Sequence, residues 1–491
     1  MELIQKELNF FTPTAGKFSG FTETTDAIIP DSYPDIEEVV FSRATINVKD
    51  ELPQADRILV SGQIDAVILY RPSNSEEIFR LNIPLSFAHI EEAPGIDDQT
   101  VYFMRSGIAQ TDVRIVNSRK ISVSCSAVIQ PELFQHTTAR LTTSVTEEQG
   151  LLEQHGQSNV LPLITAVSVQ RFVILDDLEM EQGKDAAPLH TEVELTGTEC
   201  SVNNGRIILN GTARLRIWDQ RAEPMIQVRT HDIPFHQIID TNTLTDNLPT
   251  HVQLSCHSIL CHYANEDVLS VNLNTEALFW QETQQEIPWV EDLYHLEQDL
   301  KTDFSPLTLP CCTHCGTVSG NCIESIPTAH TPEQVLSVDL LCTSILPSEE
   351  NTLKLILSYS LLYLDEMHHL RQLQKQQTCS FSIDRSLQEM QLTNLIFSTE
   401  VTPLDNQLTL HIKAMGQLMQ HTAVTVPNLT DLCIIPATAK PRQPLKLIFV
   451  QESRPLWSIA KENRSTVRLI RECNRLAENA ETVANTVLLV P

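Results

Sequence analysis

The densest run of reactive side chains is Cys311-Cys312-Thr313-His314-Cys315, followed by Cys322 and His330. Cys312 and Cys315 have the C-x2-C spacing of a zinc knuckle, and thiolates with imidazole are the ligands zinc prefers. A second C-x2-C does not follow, and the intervals fit no standard finger. Reduced thiols on an exposed loop, or thiols that cross-link on oxidation, account for the same residues. No metal and no other cofactor is therefore expected. Cys256-His257 and Cys261-His262 form a second group. On a regular strand residues five apart point to opposite faces, so Cys256 and Cys261 are not expected to share a ligand.

Motifs for catalysis are missing. There is no G-x4-G-K-[ST] loop and no G-x-G-x2-G after a strand. Gly316-Thr-Val-Ser-Gly320 places its serine one position late for a nucleophile elbow. His368-His369 lacks the second helical turn that pairs histidines in H-E-x2-H. The chain is expected not to be an enzyme, with no catalytic residue to name.

The elements that would carry these residues are mostly strands. Runs rich in Val, Ile, Leu and Thr recur along all 491 residues, often alternating apolar with polar. Glycine is scarce, at 14 residues, which argues against Gly-rich phosphate-binding architectures. Met1–Phe11 has no basic start leading into an apolar stretch, so no secretory signal is expected there. No apolar run is long enough for a transmembrane helix. Twelve cysteines in such a chain fit reduced thiols in a cytoplasm.

The formal net charge of −29 is unevenly divided: residues 437–491 carry nine Lys or Arg and five Glu, so the preceding 436 residues stand at −33. That acidity excludes generic nucleic-acid binding, because phosphate contacts need a basic surface. It also keeps the chain dispersed by self-repulsion. The basic tail would suit an acidic partner, or an acidic surface on another copy.

The body repeats. Arg57-Ile-Leu-Val-Ser-Gly62 returns 149 residues later as Arg206-Ile-Ile-Leu-Asn-Gly211. Phe87-Ala-His-Ile90 and Ile121-Ser-Val123 return as Phe235-His-Gln-Ile238 and Leu269-Ser-Val271, each 148 residues on. A third copy, built on Leu353–Leu364, Phe381 to Ile383 and Leu408 to Leu410, has Ser358 where the glycine is expected. Each copy is long enough for its own core. Ile58, Val60, Gly62, Ile64 and Ala66 share one face, as do Leu215 and Ile217 in the second copy. Connections are expected near Pro131–Ser158 and Gln281–Pro332, and Pro436–Pro444, with three prolines, reads as a spacer.

Beyond it the pattern becomes strand, helix, helix, strand. Leu445–Val450 is a strand, Pro455 starts a helix whose Leu456, Ile459 and Ala460 share a face, and Ser465 is placed to cap a second helix. There Val467, Ile470 and Cys473 form the apolar side, and Arg468, Arg471 and Arg475 a basic one.

This tail resembles a LysM module, through Phe449-Val-Gln451, Leu456-Trp-Ser-Ile-Ala460, Asn474 and Val487–Pro491. LysM modules are βααβ folds that usually bind N-acetylglucosamine-containing glycans through their strand–helix loops. Here Ser453-Arg454-Pro455 replaces the family's Gly-Asp-Thr, and Ala484-Asn485 its Pro-Gly, which favours protein docking over sugar. The first copy, through Ile29-Pro-Asp31, Tyr33-Pro-Asp-Ile-Glu37 and Asn117–Val123, is similar to the SPOCS domain of spore-envelope morphogenetic proteins. Three such copies with a C-terminal LysM resemble the SipL-type, SpoIVA-interacting proteins of Clostridia.

The resemblance implies a mainly β fold: three tandem β-sandwich-like SPOCS domains (1–135, 159–281, 333–435), a linker (436–444) and a LysM-like βααβ domain (445–491). It implies a scaffold in spore-coat or envelope assembly, located in the mother-cell cytoplasm at the forespore surface. Its partner would be a SpoIVA-like coat protein, with self-association also open. Contacts would come from Ser453, Arg454, Leu456, Trp457, Arg468, Arg471, Asn474, Arg475 and Asn485. The alternative is a glycan-binding protein that uses the tail on peptidoglycan or its lipid-linked precursor.

Overall fold

A computed structural model describes residues 1–15, 17–73, 75, 77–180, 188–222, 225–265, 267–346, 352–382, 390–435 and 445–491. The first repeat comprises β1 (Glu2–Ala15), β2 (Ser19–Ile28), β3 (Ile36–Gln54), β4 (Arg57–Pro72), β5 (Phe79–Glu92), β6 (Val101–Asn117) and β7 (Lys120–Thr146). The second runs through β8 (Leu152–Glu179), β9 (His190–Asn203), β10 (Arg206–Ala222), β11 (Met225–Asp240), β12 (Thr250–Asn265) and β13 (Val268–His295). The third follows the same order in β14 (Asp299–Pro327), β15 (Pro332–Leu346), β16 (Thr352–Asp365), β17 (Leu370–Ser382), β18 (Met390–Leu404) and β19 (Gln407–Ile435). β8 and β14 each do in one strand what β1 and β2 do in two.

Each repeat is a sandwich. In the first, β3-β4-β5 faces the β2-β7-β6 layer. Alternation on β4 sends Ile58, Val60, Ile64 and Ala66 inward against Ile121, Val123, Cys125 and Ala127 of β7. Ile207, Leu209, Leu215 and Ile217 meet Leu269, Val271 and Leu273 in the second repeat. Leu353, Leu355, Leu357 and Tyr359 meet Leu408, Leu410 and Ile412 in the third. Burying each such chain contributes about 1.5–3 kcal/mol, which fixes strand register. Ser358 is not the counterpart of Gly62: it turns away from that core and donates its hydroxyl to the Ala109 carbonyl of the first repeat.

The expected connections are strands. The second half of β7 pairs with β1 from Glu2↔Thr146 to Ala15↔Glu132. The early part of β8 pairs with the end of β13 in the same way, and β14 with the end of β19. Their Gln- and Thr-rich sequence reflects one wet face of an antiparallel ribbon. The other face is apolar, and the three ribbons share a core: Leu8, Phe10 and Leu141 with Leu161, Leu163, Ile287 and Trp289, and with Leu309, Cys311 and Val426. Phe103, Phe134, Val167, Trp280, Cys312 and Met419 form a second core across all three repeats. The tandem sandwiches are thus fused, not strung on linkers. The proline-rich stretch 436–444 lies outside the described residues.

The tail is the expected βααβ unit. β20 (Lys446–Val450) pairs antiparallel with β23 (Thr486–Val490), and the two-residue β21 (Arg454–Pro455) pairs with β22 (Thr482–Val483). Helices α1 (Leu456–Asn463) and α2 (Val467–Asn474) lie between. Leu456, Ile459 and Ala460 are buried as the helical spacing predicts. The cap of α2 is Thr466, whose hydroxyl accepts from the Leu469 amide at 3.1 Å, while Ser465 is buried one position earlier. Cys473, expected on the apolar side, is exposed.

Candidate interaction site on the C-terminal module

The tail is docked against the ends of the second and third repeats. Trp457 donates its indole N–H to Asp292 Oδ2 at 2.8 Å and meets Tyr294 edge-on, ring centres 4.9 Å apart. Tyr294 donates to the Ser465 carbonyl at 2.6 Å. Lys461 also reaches Asp292, and Arg464 pairs with Asp299 while donating to the Glu297 carbonyl at 2.9 Å. Tyr294 and Leu296 join Val450, Leu456, Ile459 and Ile470 in one apolar cluster. Burial, with Glu153 and Asp292 nearby, pushes the Tyr294 phenol well above its ordinary range. Part of the basic tail therefore meets an acidic surface on its own chain.

This settles where the expected contact residues lie. Leu456 is core. Arg471 spends its guanidinium on the Ala480 carbonyl, at 3.0 and 2.7 Å. Asn474 ties α2 to β23, donating to the Ile470 and Leu489 carbonyls and accepting from the Leu489 amide. Arg475 closes α2 with φ 54°, and Asn485 holds φ 48° ahead of β23. Asparagine tolerates that left-handed backbone better than most residues, so the turn is kept where glycine is lost. Arg454 reaches Glu462, and Ser453 is exposed. Arg468 is 83% exposed, with a loose 3.6 Å pair to Glu472. Of the three arginines expected to make one basic face, Arg471 is turned inward to structural use. Sequence reasoning missed Asp292, Tyr294 and Asp299 because they fell in a segment read as connection.

The repeats hold their own polar clusters. Arg43 of β3 bonds Glu192 of β9 at 2.9 Å and Asp339 of β15 at 2.7 Å, one side chain from each repeat. Arg216 stands at 3.6 Å from Glu192, and His190 stacks on Trp218. Arg43, His190, Glu192, Arg216 and Asp339 border a cavity of about 1290 Å³ lined by all three repeats. Ser19, His89 and Glu91 look like a hydrolytic triad, at 2.9 and 3.3 Å. Both contacts fall on Nε2 of the histidine, so no relay runs through the ring as nucleophile activation requires.

The cysteines are dispersed. Cys311 and Cys312 enter two different cores, and the Cys315 side chain lies outside the described residues. Cys322 instead meets Cys379 and Glu324. Cys256 and Cys261, expected on opposite faces, both pack against the second-repeat core, because a bulge between Cys256 and Ser258 resets the alternation.

Residues 35–116 match the family model described as SipL, SPOCS domain, a span that runs from the start of β3 to the end of β6. That match assigns a SipL-type SPOCS domain to the first repeat, a domain family that points toward sporulation. Comparison with curated proteins and with solved structures gave no match. Among the described residues no helix is long and apolar enough to cross a membrane.

Proposed function

We propose that the chain is a non-enzymatic scaffold in endospore coat or envelope assembly. It acts from the mother-cell cytoplasm at the forespore surface and docks another coat morphogenetic protein, SpoIVA-like in kind. The SPOCS match carries this reading. The shared cores support it, since three fused sandwiches form a stiff frame that presents fixed surfaces to a partner. Arg468, well exposed on α2, is the basic contact first in line. A fluorescent fusion in a sporulating culture should collect around the forespore; uniform signal in vegetative cells overturns the reading. Arg468→Glu should weaken partner pull-down at low salt if the contact is electrostatic.

Glycan binding by the tail keeps one supporting observation, the retained left-handed turn at Asn485. Against it stands Trp457, half-buried on Asp292 and Tyr294. Retention on purified peptidoglycan that Trp457→Ala abolishes would favour the glycan reading over protein docking.

A further inference from the structure

We propose that Cys322, Glu324 and Cys379 form a zinc site at the seam between the two layers of the third repeat. Both thiol sulfurs and a Glu324 carboxylate oxygen lie within 4.8 Å of one another. Zinc bonds of about 2.0–2.3 Å in a tetrahedron set neighbouring ligand atoms roughly 3.4–3.8 Å apart. Cys322 Sγ already stands 3.5 Å from Glu324 Oε1, and the 4.8 Å limit leaves the other pairs little to close. Cys322 is 8% exposed and Cys379 is fully buried. β14 and β17 meet at Asn321↔Ser382, and antiparallel pairing from there sets Glu324 opposite Cys379 with Cys322 on the diagonal.

The surroundings are those of a cation seat. Glu324 forms no salt bridge among the described residues; its partners are the Gln377 side-chain amide and the Cys322 thiol. Tyr359 donates to Gln377 Oε1 at 3.3 Å, which turns the amide nitrogen toward the carboxylate. Such outer hydrogen bonds orient first ligands in metal sites. One carboxylate and two thiols supply three anionic donors once a divalent ion displaces two protons, one from each sulfur. Two sulfurs and one oxygen suit zinc better than magnesium or calcium, and leave a fourth position for water.

The other repeats fill this seam differently. The first places Ser19 and His89 there, the second Phe172 and Phe235. Among the described residues, strands across the seam pair in the third repeat alone, joining both layers into one six-stranded sheet. A bound ion would pin that junction.

The test uses the full chain purified under reducing conditions. Elemental analysis should find about one zinc per chain, lost in Cys322→Ser and in Cys379→Ser but kept in Cys312→Ser. Cobalt(II) should give a thiolate charge-transfer band that either serine variant weakens. If those variants do not fold, alkylation of the wild type decides: zinc should protect Cys322 and Cys379 selectively. Absence of both zinc and the cobalt band overturns the proposal. So do zinc retained by both serine variants, protection of other cysteines instead, or a Cys322–Cys379 disulfide in place of metal.

Discussion

The indole of Trp457 bonds the carboxylate of Asp292, 165 residues earlier, at 2.8 Å, and this contact makes the tail part of the body it follows. Removing the ring takes away the hydrogen bond and the Tyr294 contact together. We expect Trp457→Ala to cost about 2–3 kcal/mol, and Tyr294→Phe about 1 kcal/mol through the lost bond to Ser465. Calorimetry should then show the tail melting apart from the body; an unchanged transition would mean the docked face contributes nothing.

At the three-repeat junction, Arg43 is the shared cation for Glu192 and Asp339. Arg43→Met leaves the Glu192 and Asp339 carboxyls with Arg216 as their remaining arginine among the described residues, and with His190 at 3.4 Å from Glu192. Breaking one side of a buried pair costs about 3–5 kcal/mol, and Arg216 should hold the loss near the lower end. Urea unfolding measures it, and a loss below about 1 kcal/mol would show that the cluster is not a junction element.

Burial first, and Arg43 second, hold the His190 imidazole well below its ordinary 6.5, with Arg80 and Arg216 acting the same way and Asp339 opposing. The folded protein then binds this proton less readily than the unfolded chain. The stability it provides is full above about pH 6.5 and is lost as pH falls toward the folded value, at up to about 1.4 kcal/mol per unit. His251 and His421 shift in the same direction. Melting temperature should therefore drop between about pH 7.5 and about pH 5.5, and drop less in His190→Gln. Equal drops would remove His190 as a source.

A methyl group on Gly62 would sit 2.1 Å from the Asn47 carbonyl, which is backbone and cannot swing away. On Gly211 it would meet the tip of the Phe235 ring, a side chain and not backbone. Gly62→Ala should cost about 2–3 kcal/mol and Gly211→Ala less. The reverse order in denaturant midpoints would contradict the packing described for β4.

Much of this was legible in the sequence because alternation on β4 and β10 is regular and recurs at one spacing. The tail helices were legible because Leu456, Ile459 and Ala460 keep helical phase. The ribbons were not, since a strand with one wet face and many Thr and Gln reads as connection until its partner is known. The Cys256–Cys261 relation failed on a single bulge, which no local pattern announces. Asp292 and Tyr294 were invisible as docking residues, because their meaning depends on a module more than 160 residues away.

The ribbons also dictate an order of events during synthesis. β1 finds its partner only when residues near Thr146 have been made, and the core holding Leu8, Trp289 and Val426 needs nearly the whole body. Such distant pairings form slowly and leave apolar edges open while they wait. A chain released before β19 would carry two finished sandwiches with bare ribbon faces, so premature termination should yield aggregates, not a smaller working protein.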